Sequence, residues 1–293
     1  MDTVILTVGI PLTLAVMMFG LGLDLTLGDF RDVWRRPQAA LVTLILQIGI
    51  LPGLCFGLIE LFRLDPLLAV GMMLVAASPG GIMASVFSHL FRGDVALNVA
   101  VTIVNTLVAI FTWPLVMELA VNYYGVGADI TVPVVEVLKV LLVVLVPVAL
   151  GMLVRARESA WAKHRQRPFR SATLVAVALL VVAGVVDQRN NIVGYIEDAG
   201  LIVLVYAALS FALGFFLPLL LGVDRRRAVS CSMELGVHQS ALALLIASQV
   251  IDNDRVAIPS ALYSLFSLIM AGFWGLAIRG KRDAYVGRRR VEV

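Results

Sequence analysis

Along this chain, apolar runs of roughly 17–28 residues alternate with short clusters of charge. Runs of that length are long enough to cross a hydrocarbon layer of about 30 Å as helices. Helices of a soluble protein would show polar stripes at helical spacing, and most of these runs show none, which excludes a soluble bundle. The pattern predicts nine membrane-spanning helices at 4–23, 38–62, 66–91, 95–121, 132–154, 170–187, 197–221, 225–251 and 256–279. The first run has no basic segment before it and no small-residue cleavage site, so it is expected to be a mature span rather than a signal peptide.

Two of the nine runs do not fit a continuous helix. The third contains Ser78-Pro79-Gly80-Gly81, and the eighth carries Ser232-Met233-Glu234-Leu235-Gly236-Val237-His238-Gln239. Proline removes a backbone donor and clashes with the preceding turn, and paired glycines give the backbone no preference for a helix. Backbone groups freed at membrane depth must be buried in protein or line a wet cavity. Interrupted spans at corresponding places in two halves point to the binding site of a secondary transporter. Here each broken span is followed by one last span of its half. Spans 5–9 therefore form a five-helix unit, and spans 1–4 the same unit without its first helix. An odd repeat length makes the two units inverted.

Composition supports this picture. Hydrophobic residues make up 60% of the 293 positions and charged residues 15%, with a mean hydropathy of +0.97. The basic residues also orient the chain, because cytoplasmic connections are rich in Lys and Arg. With the N-terminus outside and the C-terminus inside, 19 of the 23 basic residues fall on the cytoplasmic side; Arg63, Arg189 and Arg255 fall outside, and Lys139 lies within a span. The basic pI therefore reflects topology rather than nucleic-acid binding. Cys55 and Cys231 lie in or at the edge of spans and are not expected to form a disulfide. No GxxxxGK[ST] phosphate loop occurs, so ATP-driven transport by this chain is not expected. The four tryptophans, Trp34, Trp113, Trp161 and Trp274, are expected as interface anchors.

Polar residues inside the apolar runs are the candidates for chemistry. Glu234, in the middle of a span, is costly there unless paired or hydrated. His238 follows at i+4 and would share its helix face if the segment stayed helical. Gln47, Ser85, Asn98, Thr102 and Asn105 form a second set; the spacings of four and three put Asn98, Thr102 and Asn105 on one face of span 4. Neutral oxygens with one carboxylate suit a hard cation such as Na⁺, whereas Asn and Thr in membranes also serve as helix–helix hydrogen bonds.

Met18-Phe19-Gly20-Leu21-Gly22-Leu23, Ser78-Pro79-Gly80-Gly81, Arg92-Gly93-Asp94-Val95-Ala96-Leu97, Glu234-Leu235-Gly236-Val237-His238-Gln239 and Ile258-Pro259-Ser260-Ala261-Leu262 together resemble the bile acid:sodium symporter family in its bacterial nine-span form. The resemblance implies a panel domain (4–23, 132–154 and 170–187) and a core domain (38–121 and 197–279) in which the two discontinuous helices cross. It also implies a multi-pass protein of the cell inner membrane in which Na⁺ drives uptake of an organic anion. One Na⁺ site of the family falls on Ala84, Ser85, Asn98, Thr102 and Glu234. The other falls on Gln47, Glu234, the backbone of Leu235 and Val237, and His238. The chain departs from the family at Ala84, which has no side-chain oxygen; at Ser85, shorter than the family Asn; at Asn98, an amide for a hydroxyl; and at His238, which replaces Gln. Substrate contacts are expected from Gly80, Gly81, Ile82, Gln239 and Ser267. Ile82 stands where the family often has Thr, and Ser267-Leu268 where it has His-Asn, which makes the cavity more apolar.

The expected function is sodium-coupled symport of an organic anion, bile-acid-like or a small carboxylate, by alternating access, with Na⁺ as coupling ion and no other cofactor. The half-helix N-termini near Gly81 and Val237 are expected to offer unpaired N–H groups to the anion. The alternatives are a proton-coupled or uncoupled carrier using Glu234 and His238, or a non-transporting membrane sensor, which the short segment after Ile278 disfavours. No enzymatic activity is expected.

Overall fold

A computed structural model describes residues 37–127, 134–157 and 192–278, with scattered positions between 15 and 28. The described residues are helical and include no strand beyond a single isolated bridge. In chain order the helices are α1 (Gln38–Phe62), α2 (Pro66–Ala77), α3 (Ile82–Leu90), α4 (Val95–Tyr123), α5 (Val134–Arg157), α6 (Val193–Leu220), α7 (Arg225–Gly236), α8 (Ser240–Leu245, continued by a π turn at Ile246–Val250) and α9 (Asp254–Ile278).

Aspartates set the starts of three of these helices. The carboxylates of Asp65, Asp94 and Asp224 accept from the backbone N–H of Leu67 at 3.0 Å, Leu97 at 3.2 Å and Arg227 at 3.1 Å. Each satisfies one donor that the first helical turn leaves open. Pro66 follows Asp65 at the first helical position, where its missing N–H is harmless. α1 ends at Arg63 in the left-handed conformation, its N–H closing onto Glu60 and Ile59.

Four helices, α1, α4, α6 and α9, are long and apolar enough to cross a membrane. Their outward positions carry Leu61, Phe111, Leu220 and Phe273, all at least 72% exposed, as expected of side chains meeting lipid. The chain is an all-α membrane protein. α1, α4, α6 and α9 coincide with expected spans 2, 4, 7 and 9; α5 coincides with span 5. Spans 1 and 6, and with them most of the expected panel, lie outside the described residues, apart from scattered positions in span 1.

Two boundaries need correction. Arg155 and Arg157, expected in a loop, lie in the last turn of α5, where cations complement the helix dipole. α6 begins before Glu197 and Asp198, which sit in a π turn over Ile196–Gly200.

α2 is buried on every side from Leu68 to Ala76, so its apolar surface is not a stripe but a full circumference. It packs closely on α9 because Gly71 carries no side chain: a Cβ there would collide with the Val256 carbonyl and the Pro259 ring. Trp113 fixes α4 to α2; it is fully buried, and its Nε1–H donates to the Leu74 carbonyl at 3.0 Å. Trp274 is also turned inward, its Nε1–H donating to Ser232 Oγ at 2.9 Å. Trp113 is not an interface anchor, because it is fully buried and its indole N–H finds its acceptor inside the helix bundle. Trp34 and Trp161 lie outside the described residues.

Candidate ion- and substrate-binding site

The two sequence breaks become two chain breaks that pair with each other. α2 stops at Ser78, whose extended backbone (φ −70°, ψ 143°) suits the residue before a proline. α3 restarts after Gly81. In the second broken span α7 stops at Gly236 and α8 restarts after Gln239. Gly80 and His238 form an antiparallel bridge, with Gly81 N–H donating to the Val237 carbonyl at 2.8 Å and Gln239 N–H to the Pro79 carbonyl at 2.8 Å. The breaks thus satisfy part of each other's backbone, as burial in an apolar interior demands. This corrects two expectations. The second restart lies at Gln239, not Val237, and the N–H groups of Gly81 and Gln239 are engaged in the crossing rather than open.

Glu234 occupies the last helical turn before the second break and is 1% exposed. Its Oε2 accepts from Asn98 Nδ2 at 3.0 Å and lies 2.7 Å from Thr102 Oγ1. Asn98 Nδ2 also donates to the Ser230 carbonyl at 3.2 Å, which ties α4 to α7. The carboxylate rests on the bare Cα of Gly80, where a Cβ would overlap it. Oε1 has no hydrogen-bond partner among the described residues.

His238 does not share a face with Glu234, because the helix ends at Gly236 and the chain turns away. Its Nδ1 lies 3.1 Å from the Ser78 carbonyl and 3.3 Å from Gln47 Nε2. Gln47 Nε2 donates to that same carbonyl at 2.8 Å. Ser78 O is an acceptor that the break deprives of its helical donor, and two side chains converge on it. Gln47 is itself displaced by a π turn over Leu46–Ile50, a widening of a kind often found at functional sites. The imidazole is flanked by Tyr206 and Tyr263, with ring centroids 5.9 and 5.2 Å away, and Tyr263 OH donates to the Gly236 carbonyl at 2.9 Å.

The structure therefore brings Glu234, Asn98 and Thr102 into one group, and Gln47, Ser78 and His238 into another. Leu235 and Val237 bracket the end of α7, and Gly80, Gly81 and Gln239 form the crossing. A Cβ on Gly81 would stand 3.1 Å from Gln239 Oε1. Ser85 is buried on α3 next to Ala84, which packs in an apolar cluster with Phe211, Met233 and Val237. α3 begins at Ile82, whose side chain lies outside the described ones. Ser267 is buried in α9, but the α9 hydroxyl that reaches the start of α8 is Ser264, bonded to Ser240 Oγ at 2.8 Å. Tyr206, Tyr263 and Ser264 were not singled out by sequence. Their signal was polar atoms at mid-span, away from the interfaces where tyrosines usually sit.

Four of the site's acceptors, Gln47 Oε1, Glu234 Oε1, Asn98 Oδ1 and His238 Nε2, are buried without a partner among the described residues, as is the Tyr206 hydroxyl beside the imidazole. Buried acceptors normally find donors; three of these four are oxygens and one of those is a carboxylate, the donor type that hard cations prefer. Among the described residues no group of three or more His, Cys, Asp and Glu could hold a transition metal.

A model of the Sodium Bile acid symporter family matches residues 11–195, more than half of the chain. The chain belongs to the sodium bile acid symporter family. Its members are transporters, not enzymes, and the chain is accordingly a multi-pass membrane transport protein. An uncharacterized sodium-dependent transporter of Bacillus subtilis, YocS, is 30% identical over 93% of this chain and 85% of its own length. The probable chloroplastic sodium/metabolite cotransporter BASS2 of Oryza sativa subsp. japonica is 31% identical over 97% of this chain and 67% of its own. The ileal sodium/bile acid cotransporter of Homo sapiens is 25% identical over 99% of this chain and 84% of its own.

Proposed function

We propose that this family member is a Na⁺-coupled symporter of an organic anion that works by alternating access around the crossing of its two broken spans. The observation that carries the reading is that four buried acceptors of the site, Gln47 Oε1, Glu234 Oε1, Asn98 Oδ1 and His238 Nε2, have no partner among the described residues. Ser85, Asn98, Thr102 and Glu234 make one cation position. Gln47, Glu234, His238 and the carbonyls of Leu235 and Val237 make the other. Three relatives named as a sodium-dependent transporter or as sodium cotransporters support this reading.

Glu234 is the coupling element in this account. A carboxylate facing the crossing repels an anion, and a cation held against Oε1 removes that repulsion, so anion and cation bind together. The anion-binding set in this reading is Gly80, Gly81, Ile82, Gln239 and Ser267. The core (38–121 and 197–279) then rocks against the panel (4–23, 132–154 and 170–187). The two inverted five-helix units, the first lacking its initial helix, would give inward- and outward-open states of similar shape. The protein sits in the cell inner membrane with its N-terminus outside and its C-terminus in the cytoplasm. The test is uptake of a labelled carboxylate into proteoliposomes under an imposed Na⁺ gradient, with a K⁺ gradient as control. Accumulation that ignores Na⁺ in active protein would refute the coupling.

One observation favours a second reading, coupling to H⁺. Thr102 Oγ1 lies 2.7 Å from Glu234 Oε2 and 2.9 Å from the Asn98 carbonyl, and its single hydrogen serves one of them. If it serves the carbonyl, the contact with Oε2 is a hydrogen bond only when Glu234 itself is protonated there. Uptake that follows a pH gradient in Na⁺-free buffer would select this reading.

A further inference from the structure

One buried polar group lies on α4 three residues after Thr102, which contacts Glu234, yet has no contact of its own with that carboxylate among the hydrogen bonds of the described residues: the amide of Asn105. The residue is 3% exposed, and its Nδ2 has no hydrogen-bond partner among the described residues. Asn105 follows Thr102 by three positions on α4, so the two share a face about 4.5 Å apart along the axis. Asn98 and Thr102 hold Oε2 of Glu234. On the other side, Trp113 fixes the same helix to Leu74 of α2. Asn105 therefore lies on the stretch of α4 between these two ties, one turn beyond the carboxylate and towards the end of α2 that leads into the first break. Its neighbour Thr106 is satisfied locally, donating to the Thr102 carbonyl at 2.7 Å; Asn105 Nδ2 is not.

A buried amide donor without an acceptor is unfavourable and rare. The missing partner is an acceptor that the described residues do not supply, a water in the empty state and a ligand oxygen when one displaces it. A cation cannot fill that place, because an N–H group presents positive charge. An anion oxygen can, and it would sit one turn from the carboxylate that holds the cation. We propose that Asn105 is a substrate-binding residue whose amide N–H donates to a carboxylate oxygen of the transported anion. The proposal rests on the organic-anion symport reading above and adds to it a residue outside the expected substrate set.

The test uses full-length purified protein and two variants, Asn105→Leu, which removes the amide, and Asn105→Asp, which keeps its shape and replaces the donor by a negative acceptor. Thermal stabilisation is titrated first with NaCl against choline chloride, then at saturating Na⁺ with the sodium salts of cholate, pyruvate and lactate. Both variants are expected to keep the wild-type Na⁺ response, which also shows that they are folded. The anion that stabilises the wild type is expected to need about tenfold or more higher concentration in the Leu variant, and more still in the Asp variant. If the Asp variant does not fold, the Leu variant carries the comparison. Wild-type anion response in both variants would overturn the assignment. So would tighter Na⁺ binding by the Asp variant, since the Asn105 oxygen would then serve the cation. A wild type that responds to Na⁺ but to none of the three anions would overturn the organic-anion reading, and the Asn105 assignment with it.

Discussion

Gly80 and His238 face each other as an antiparallel bridge between the two chain breaks, and the carboxylate of Glu234 rests on the bare Cα of Gly80. The contact makes the first broken span part of the wall behind the acidic residue of the second. Gly80→Ala places a methyl group where the carboxylate lies. We expect it to destabilise the protein by about 1–3 kcal/mol and to abolish Na⁺-stimulated uptake. Wild-type uptake by the alanine variant would show that the carboxylate does not need that position.

Thr102 tests the second contact on Glu234. Thr102→Val keeps the shape and removes the hydroxyl 2.7 Å from Oε2. A hydrogen bond to a charged group is worth about 1.5–3 kcal/mol, so the Na⁺ concentration for half-maximal uptake should rise roughly tenfold or more. Thr102→Ser, which retains the hydroxyl, should stay close to wild type. Equal effects of Val and Ser would assign the residue to packing alone.

His238 tests the second group of polar side chains at the crossing. Its Nδ1 meets the Ser78 carbonyl, and its Nε2 is the one nitrogen among the four open acceptors. In His238→Gln an amide can donate to Ser78 and offer an oxygen, a harder ligand, in place of the imidazole nitrogen. The expected result is a lower half-maximal Na⁺ concentration, measured by uptake at fixed pH. His238→Leu should raise it. An unchanged Na⁺ dependence in both variants would remove His238 from the cation set.

Tyr263 holds the end of α7 through its hydroxyl on the Gly236 carbonyl. Tyr263→Phe leaves that buried carbonyl short of a donor and should lower stability by about 1–3 kcal/mol. Because Gly236 lies between Leu235 and Val237, the Na⁺ over Li⁺ preference of uptake should fall as well. Loss of stability with the ion preference intact would confine the tyrosine to a structural role.

Much of this was legible in the sequence, for reasons that differ from residue to residue. Ser78-Pro79-Gly80-Gly81 announces its break because proline and glycine act locally, whatever packs around them. Glu234 announces itself because a carboxylate in an apolar run has no other ready explanation. The spacing of Asn98 and Thr102 put them on one face, and that face is the one turned to Glu234. What could not be read was where the second helix ends: Gly236-Val237-His238 contains no proline, and its break is set by pairing with Pro79, Gly80 and Gly81. Hence His238 was expected beside Glu234 and is found instead on Ser78 and Gln47. The inward tryptophans were missed for a similar reason, since the acceptors of Trp113 and Trp274, Leu74 O and Ser232 Oγ, are 39 and 42 positions away in sequence.

If the carboxylate of Glu234 binds the coupling cation, Na⁺ binding by the purified protein depends on it. A ligand that binds the folded state alone raises stability with its concentration. Thermal stability of the wild type should climb with NaCl against matched choline chloride. Glu234→Gln, which keeps the shape and removes the charge, should be as stable as wild type in choline and show no Na⁺-dependent rise. A Glu234→Gln protein whose stability climbs with Na⁺ at the wild-type half-maximal concentration would contradict the account.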